Sequence, residues 1–149
     1  LAGAKAGLHY AGWYPSRHLP HPLAVPSGIR TGSRSSLAYV ERTSRKLART
    51  LFHAMARHGP ALEKRQLLLG RLVDIAAELY MLTSAHLQAG VILRHEAEST
   101  STDRSEIPAV LAFLDKRTKC RVNRLFRELH DNPDAKARSL SRKILTFPS

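Results

Sequence analysis

A chain of 149 residues with 43% hydrophobic residues is long enough to bury the core of one domain and too apolar for wholesale disorder. Its single cysteine excludes an internal disulfide framework and a cysteine-rich zinc site, and no apolar run approaches the roughly 18–20 residues that span a bilayer. A formal net charge of +12 favours an acidic partner (nucleic acid, anionic lipid or an acidic protein surface) without choosing among them.

The chain opens on Leu1, with methionine only at Met55 and Met81, which reads as a fragment or a processed product. Residues 1–34 hold five of the eight glycines, four of the eight prolines, four basic side chains and no acidic one. Proline removes backbone donors and glycine adds backbone entropy, so this stretch reads as an irregular connecting arm, with residues 35–149 as the helical domain. Trp13 and Tyr14 are expected to dock on that domain or on a further part of the protein.

A first helix is expected from about Ser36 to His58, capped by Ser35 or Ser36 and stopped by Gly59-Pro60. Leu37, Val40, Leu47, Leu51 and Met55 mark its apolar stripe, with Phe52 beside it. A second helix is expected from Pro60 to about Leu93, apolar on more than one face and therefore packed on two sides. Gly70 within it suits the close approach of a neighbour, whereas Gly90 marks fraying or an end. Residues 96–106 read as a polar loop, and Ser105 as the cap of a third helix over 106–130. Its stripe is Ile107, Leu111, Leu114, Thr118, Val122, Leu125 and Leu129, widened by Phe113 and Phe126. Asp131-Asn132-Pro133 ends it. A short fourth helix over 134–145 is expected to turn Leu140, Ile144 and Leu145 inward. No segment alternates with period two. The fold class is therefore all-α: an antiparallel bundle of three long helices plus a short C-terminal helix.

Charge divides along the same lines. Residues 60–98, four basic against five acidic, are near neutral and the most apolar, so they read as the core with basic segments around it.

The chain offers no glycine-rich phosphate loop, no nucleophile elbow and no metal-ligand spacing among its histidines. His95-Glu96 is adjacent rather than four apart. Cys120, beside Lys119 and Arg121, reads as a half-buried helical cysteine of ordinary reactivity. Asp74 and Glu78 share a helical face and in principle suit acid–base work. The structural reading is stronger: Arg71 and a basic side chain from a neighbouring helix neutralise them. If both are buried, Asp74→Ala destabilises the bundle. Arg42, Arg45, Lys46 and Arg49 on the first helix, and Arg117, Arg121, Arg124 and Arg127 on the third, form basic surfaces able to meet phosphates or an acidic surface. With aromatic residues at 6% and no nucleic-acid-binding signature, a solvated or protein-facing role is preferred.

The stretch Leu68-Leu69-Gly70-Arg71-Leu72-Val73-Asp74-Ile75-Ala76-Ala77-Glu78-Leu79-Tyr80-Met81 resembles a helix in the C-terminal region of acyl-CoA dehydrogenases of the very-long-chain type. Phe52-His53-Ala54-Met55, His58-Gly59, Glu63 and Gln66-Leu67-Leu68 also look like that extension, and Arg124-Leu125-Phe126-Arg127-Glu128-Leu129 is similar to the closing helix of bacterial relatives. The likeness covers roughly residues 37–130 and rests on packing motifs, among them Arg71, Asp74, Glu78 and Tyr80. After Tyr80, His86-Leu87-Gln88 stands where the family usually has a more basic, serine-rich stretch.

The resemblance implies a parent enzyme in which a glutamate takes the α-proton of an acyl-CoA and FAD takes the hydride. It implies that this segment is a helical bundle supporting core packing, a homodimer and membrane association. No residue here matches the family's catalytic glutamate, FAD contacts or CoA contacts, so no cofactor is expected in this segment and FAD is expected in the parent. The implied location is the bacterial cytoplasm or the mitochondrial matrix, peripheral on the inner membrane. Two other readings stay open: a basic helical adaptor or nucleic-acid-binding subunit, and a small helical enzyme working through Asp74 and Glu78.

Overall fold

The computed structural model describes residues 11–15, 31–95 and 106–145. Among them the regular structure is helical throughout: α1 (Thr31–His58), a 3-10 turn (Gly59–Lys64), α2 (Gln66–His95), α3 (Ile107–Glu128) and α4 (Asp134–Leu145). Residues 11–15 form one further short helical piece. The expected cap at Ser105, the loop over 96–105 and most of the N-terminal arm lie outside the described residues.

The three long helices run antiparallel in sequence. At one end Ser33, His86 and Asp115 meet; midway Thr118 meets Glu78; at the other end Arg71 approaches Glu128. The α2 seam is read off its buried positions: Leu72, Ile75, Leu79, Leu82, His86 and Ala89, in alternating steps of three and four. That spacing keeps one stripe facing its partners along the whole helix. Against it lie Val122, Leu125, Phe126 and Leu129 of α3, with Tyr39, Val40 and Leu47 of α1 closing the core. Full burial of each large aliphatic side chain stabilises by about 1.5–3 kcal/mol, which makes this seam the main source of stability.

The expected α1 stripe holds at Leu37, which is buried, and at Val40 and Leu47, which pack on the core, but small and polar residues share it and its last two members do not reach it. Ser33, Ser36, Thr43 and Ala54 are buried, and Val40 and Leu47 fall on the same line. Leu51 and Met55 are exposed. Small and polar side chains share the seam, which apolar periodicity alone misses. The helix also begins at Thr31, so Ser35 and Ser36 lie inside it rather than capping it.

The chain reverses at Gly59, whose φ of 49° is the left-handed conformation that favours glycine. Pro60 opens the 3-10 turn, and the Arg65 N–H donates to the Leu62 carbonyl at 2.9 Å. Hence α2 starts at Gln66 rather than Pro60. Gly70 faces open space, so close approach does not explain it.

Asn132 links α3 to α4. Its side-chain amide donates to the Glu128 carbonyl at 2.8 Å, while its side-chain oxygen accepts the Asp134 N–H at 3.1 Å. Beyond that turn α4 buries no residue. Leu140, Ile144 and Leu145, expected inward, are all exposed, Leu145 by 81%. Phe113, expected in the α3 stripe, is exposed as well. Trp13 and Tyr14 pack on Phe52, and the Tyr14 hydroxyl lies 2.9 Å from His53 Nε2.

Candidate functional site

Buried polar groups seek partners inside the protein, and three cross-braces join polar side chains across the bundle, while Tyr39 Oη, His86 Nε2, Asp115 Oδ1 and Arg121 Nε make no hydrogen bond. The first joins three helices. His86 of α2 is 2% exposed; its Nδ1 lies 3.0 Å from Ser33 Oγ of α1, and its Nε2 lies 3.4 Å from Asp115 Oδ1 of α3. Ser36 Oγ donates to the other Asp115 oxygen at 2.7 Å, and Lys119 Nζ stands 3.9 Å from Oδ1. The Nε2–Oδ1 approach falls outside hydrogen-bond alignment, and neither atom has another hydrogen-bond partner, so the contact has slack in it. A cavity of about 310 Å³ adjoins the brace, walled mainly by Ala89, Leu93, Ile107 and Leu111.

Serine, histidine and aspartate are the residue types of a nucleophilic triad. Ser33 is 8% exposed and His86 2%, and both, with Asp115, line the adjoining cavity. The carboxylate is also shared with Ser36. This cluster fixes the register of three helices.

The second brace holds Glu78. Its carboxylate, buried between α2 and α3, lies 2.9 Å from Arg121 Nε and accepts a hydrogen bond from Thr118 Oγ1 at 3.3 Å. The arginine contact is off the N–H axis and therefore mainly Coulombic. Asp74, four residues earlier, is exposed, so the two carboxylates do not share a buried site. Arg71 does not serve either of them. It donates through both terminal nitrogens to Asp134 at 2.6 and 2.8 Å, with Glu128 3.9 Å away. That fork holds the Asp134 carboxyl below the usual carboxylate range, and the same hydrogen bonds raise the Arg71 guanidinium further.

The basic candidates separate by partner. Arg45 pairs with Glu41, Lys46 places its ammonium 4.1 Å from the centre of the Phe126 ring, and Arg124 lies 3.6 Å from Glu128. Arg121 is committed to Glu78. Arg42, Arg117 and Arg127 are exposed, and Arg49 is half-buried. Several of these charges are thus matched within the bundle. Cys120 is exposed rather than half-buried. Among the described residues no three of His, Cys, Asp and Glu gather as a metal site, and no helix is long and apolar enough to cross a membrane.

The surface feature that stands out is the outer side of α2. Val73, Tyr80 and Leu87 recur every seven residues and are exposed, Tyr80 by 74%. Val91 and Met81 extend the patch. An apolar stripe of this kind on the longest helix marks a face made to be covered. Tyr80, quoted above for its family likeness, therefore belongs to the outer surface and not to the bundle's ion pairs. His86 and Asp115 were missed as a pair because they come from different helices.

The chain is similar to the C-terminal part of a protein named probable acyl-CoA dehydrogenase FadE10 in Mycobacterium bovis and Mycobacterium tuberculosis, with 36% identity over 138 residues in each case. The match takes in 90% of this chain, and the chain spans about a fifth of the length of those relatives (20%). No family model and no solved structure matches it.

Proposed function

We propose that this chain is the C-terminal helical domain of a flavin-dependent acyl-CoA dehydrogenase, covering and bracing the rest of its own polypeptide. The observation that carries the reading is the 36% identity to the C-terminal part of FadE10. The exposed stripe of Val73, Tyr80 and Leu87 supports it, because burying that stripe against another part of the polypeptide removes apolar surface from water. In such a parent, FAD accepts the hydride in fatty-acid β-oxidation. The flavin, the base and the CoA contacts are assigned to the rest of the polypeptide, and no redox step is assigned to residues of this bundle. Support of a homodimer, peripheral attachment to an anionic membrane, and a cytoplasmic location belong to the same proposal.

The test is to purify the longest natural polypeptide that contains this chain. Bound FAD and acyl-CoA-dependent reduction of an electron acceptor are expected, together with slower hydrogen exchange around Tyr80 than in the 149-residue chain alone. A product without flavin, or with Tyr80 equally open in both, overturns the proposal. Membrane attachment is tested separately by co-sedimentation with anionic and neutral vesicles. Equal binding to both, or none at about 0.15 M salt, counts against it.

A further inference from the structure

Where the turn between α1 and α2 meets the junction of α3 and α4, the bundle end opens into a cleft of about 610 Å³. Four cationic side chains line it from three separate elements: Arg57 of α1, Lys64 and Arg65 of the turn, and Arg138 of α4. Three histidines, His53, His58 and His130, share the wall. The acidic lining residue is Asp134, whose two oxygens are both engaged by Arg71. The cleft is thus strongly positive, with its own carboxylate already neutralised. Arg65 and Arg138 also act on Asp134, and Arg138 Nε donates to its backbone carbonyl at 3.4 Å, but four cations against one carboxylate leave a net positive well for an anion.

Part of this charge has a structural explanation. Arg57 and His58 occupy the last turn of α1, where cations complement the helix dipole. Lys64 likewise closes the 3-10 turn, but that account does not extend to Arg65 or Arg138. The field is felt at His58, where burial and then Arg65, Arg57 and Arg138 hold the imidazole below its ordinary pKa. The floor also carries apolar groups, Leu67, Leu68 and Leu129, and its volume lies within the range of small-molecule sites.

We propose that this cleft binds a small soluble ligand through a phosphate monoester or diphosphate group, with the ligand's less polar part against the leucines. Guanidinium forks match the paired oxygens of phosphate, and Arg57, Arg65 and Arg138 bring three guanidinium groups to the lining from different parts of the chain. A single carboxylate leaves most of this charge unmatched. The proposal does not depend on the similarity to acyl-CoA dehydrogenases.

The same phosphate chemistry is found in lipid headgroups, so the experiment separates the two sources. Pyrophosphate is titrated into the 149-residue chain at about 0.15 M salt and followed by NMR, with a parallel sedimentation arm using phosphatidylglycerol vesicles. Saturable binding at one site is expected, with the largest shifts at Arg65, His130 and Arg138. The His58 pKa should rise on saturation, because the anion cancels the field that depresses it. Arg65→Glu and, independently, Arg138→Glu should each weaken binding at least about tenfold at unchanged helicity, while Arg117→Glu on α3 leaves it unaltered. Absence of saturation, equal loss in Arg117→Glu and Arg65→Glu, or vesicle binding without pyrophosphate binding overturns the proposal.

Discussion

The Arg71–Asp134 ion pair ties the start of α4 to α2, and removing it should loosen that helix while sparing the core. Arg71 and Asp134 are joined by two charge-assisted hydrogen bonds of 2.6 and 2.8 Å, with side chains 17% and 15% exposed. Exposed ion pairs contribute about 0.2–1 kcal/mol, and hydrogen bonds to charged groups about 1.5–3 kcal/mol. A bidentate pair with this degree of burial belongs in the lower part of the second range, at about 2 kcal/mol. Because α4 buries no residue of its own, that energy governs local opening. About 2 kcal/mol corresponds to roughly 30-fold faster exchange of the α4 amides.

Native-state hydrogen exchange on the wild type, Arg71→Ala, Asp134→Asn and the double variant measures this directly. Each single variant should accelerate α4 exchange by that factor, the double should add little, and the amides of Ile75 and Leu79 should keep their protection. Unchanged α4 exchange, or core amides accelerated as much as α4, would refute the reasoning. The pH dependence has a definite sign. The Asp134 pKa is lowered in the folded state, so its contribution is complete above the ordinary carboxylate pKa. It declines as pH falls below that value and is gone below the depressed one. Protection of α4 should follow that course on acidification.

Three further outcomes follow from burial. Ile75→Ala removes a side chain with 0% exposure and should cost about 2–5 kcal/mol, lowering the melting temperature of a 149-residue chain by roughly 6–16 °C in calorimetry. Glu78→Gln should lose about 1–2 kcal/mol in urea unfolding because it uncouples buried Glu78 from Arg121, whereas Asp74→Ala, at an exposed position, should stay within about 0.5 kcal/mol of wild type. Gly70→Ala should stabilise by up to about 1 kcal/mol in the same assay, since an added Cβ meets nothing within 4 Å, while Gly59→Ala should destabilise by about 1 kcal/mol at φ 49°.

Large apolar residues announced the α2 and α3 seams in the sequence, since Leu72, Ile75, Leu79, Val122 and Leu125 recur at helical spacing and all are buried. The fold class was legible for the same reason. The seam of α1 was legible in part: Leu37, Val40 and Leu47 were expected inward and lie there, whereas Ser33, Ser36, Thr43 and Ala54 look like surface residues until a neighbouring helix covers them. Leu140, Ile144 and Leu145 misled in the opposite direction: an amphipathic pattern records that a face prefers cover, without saying which body covers it.

What the sequence by itself determined is therefore local and periodic: helix content, most of the boundaries, the stop at Gly59-Pro60, the excess of positive charge and the family likeness around Arg71 to Met81. The tertiary structure alone decided which charges meet. Arg71 found Asp134 rather than Asp74, Glu78 found Arg121, and His86 found Ser33 and Asp115. It also drew Arg57, Lys64, Arg65 and Arg138 around one cleft. Periodicity reports the direction in which a side chain leaves its own helix. The partner it meets depends on how helices distant in sequence are rotated and stacked, and that is settled only when the core packs.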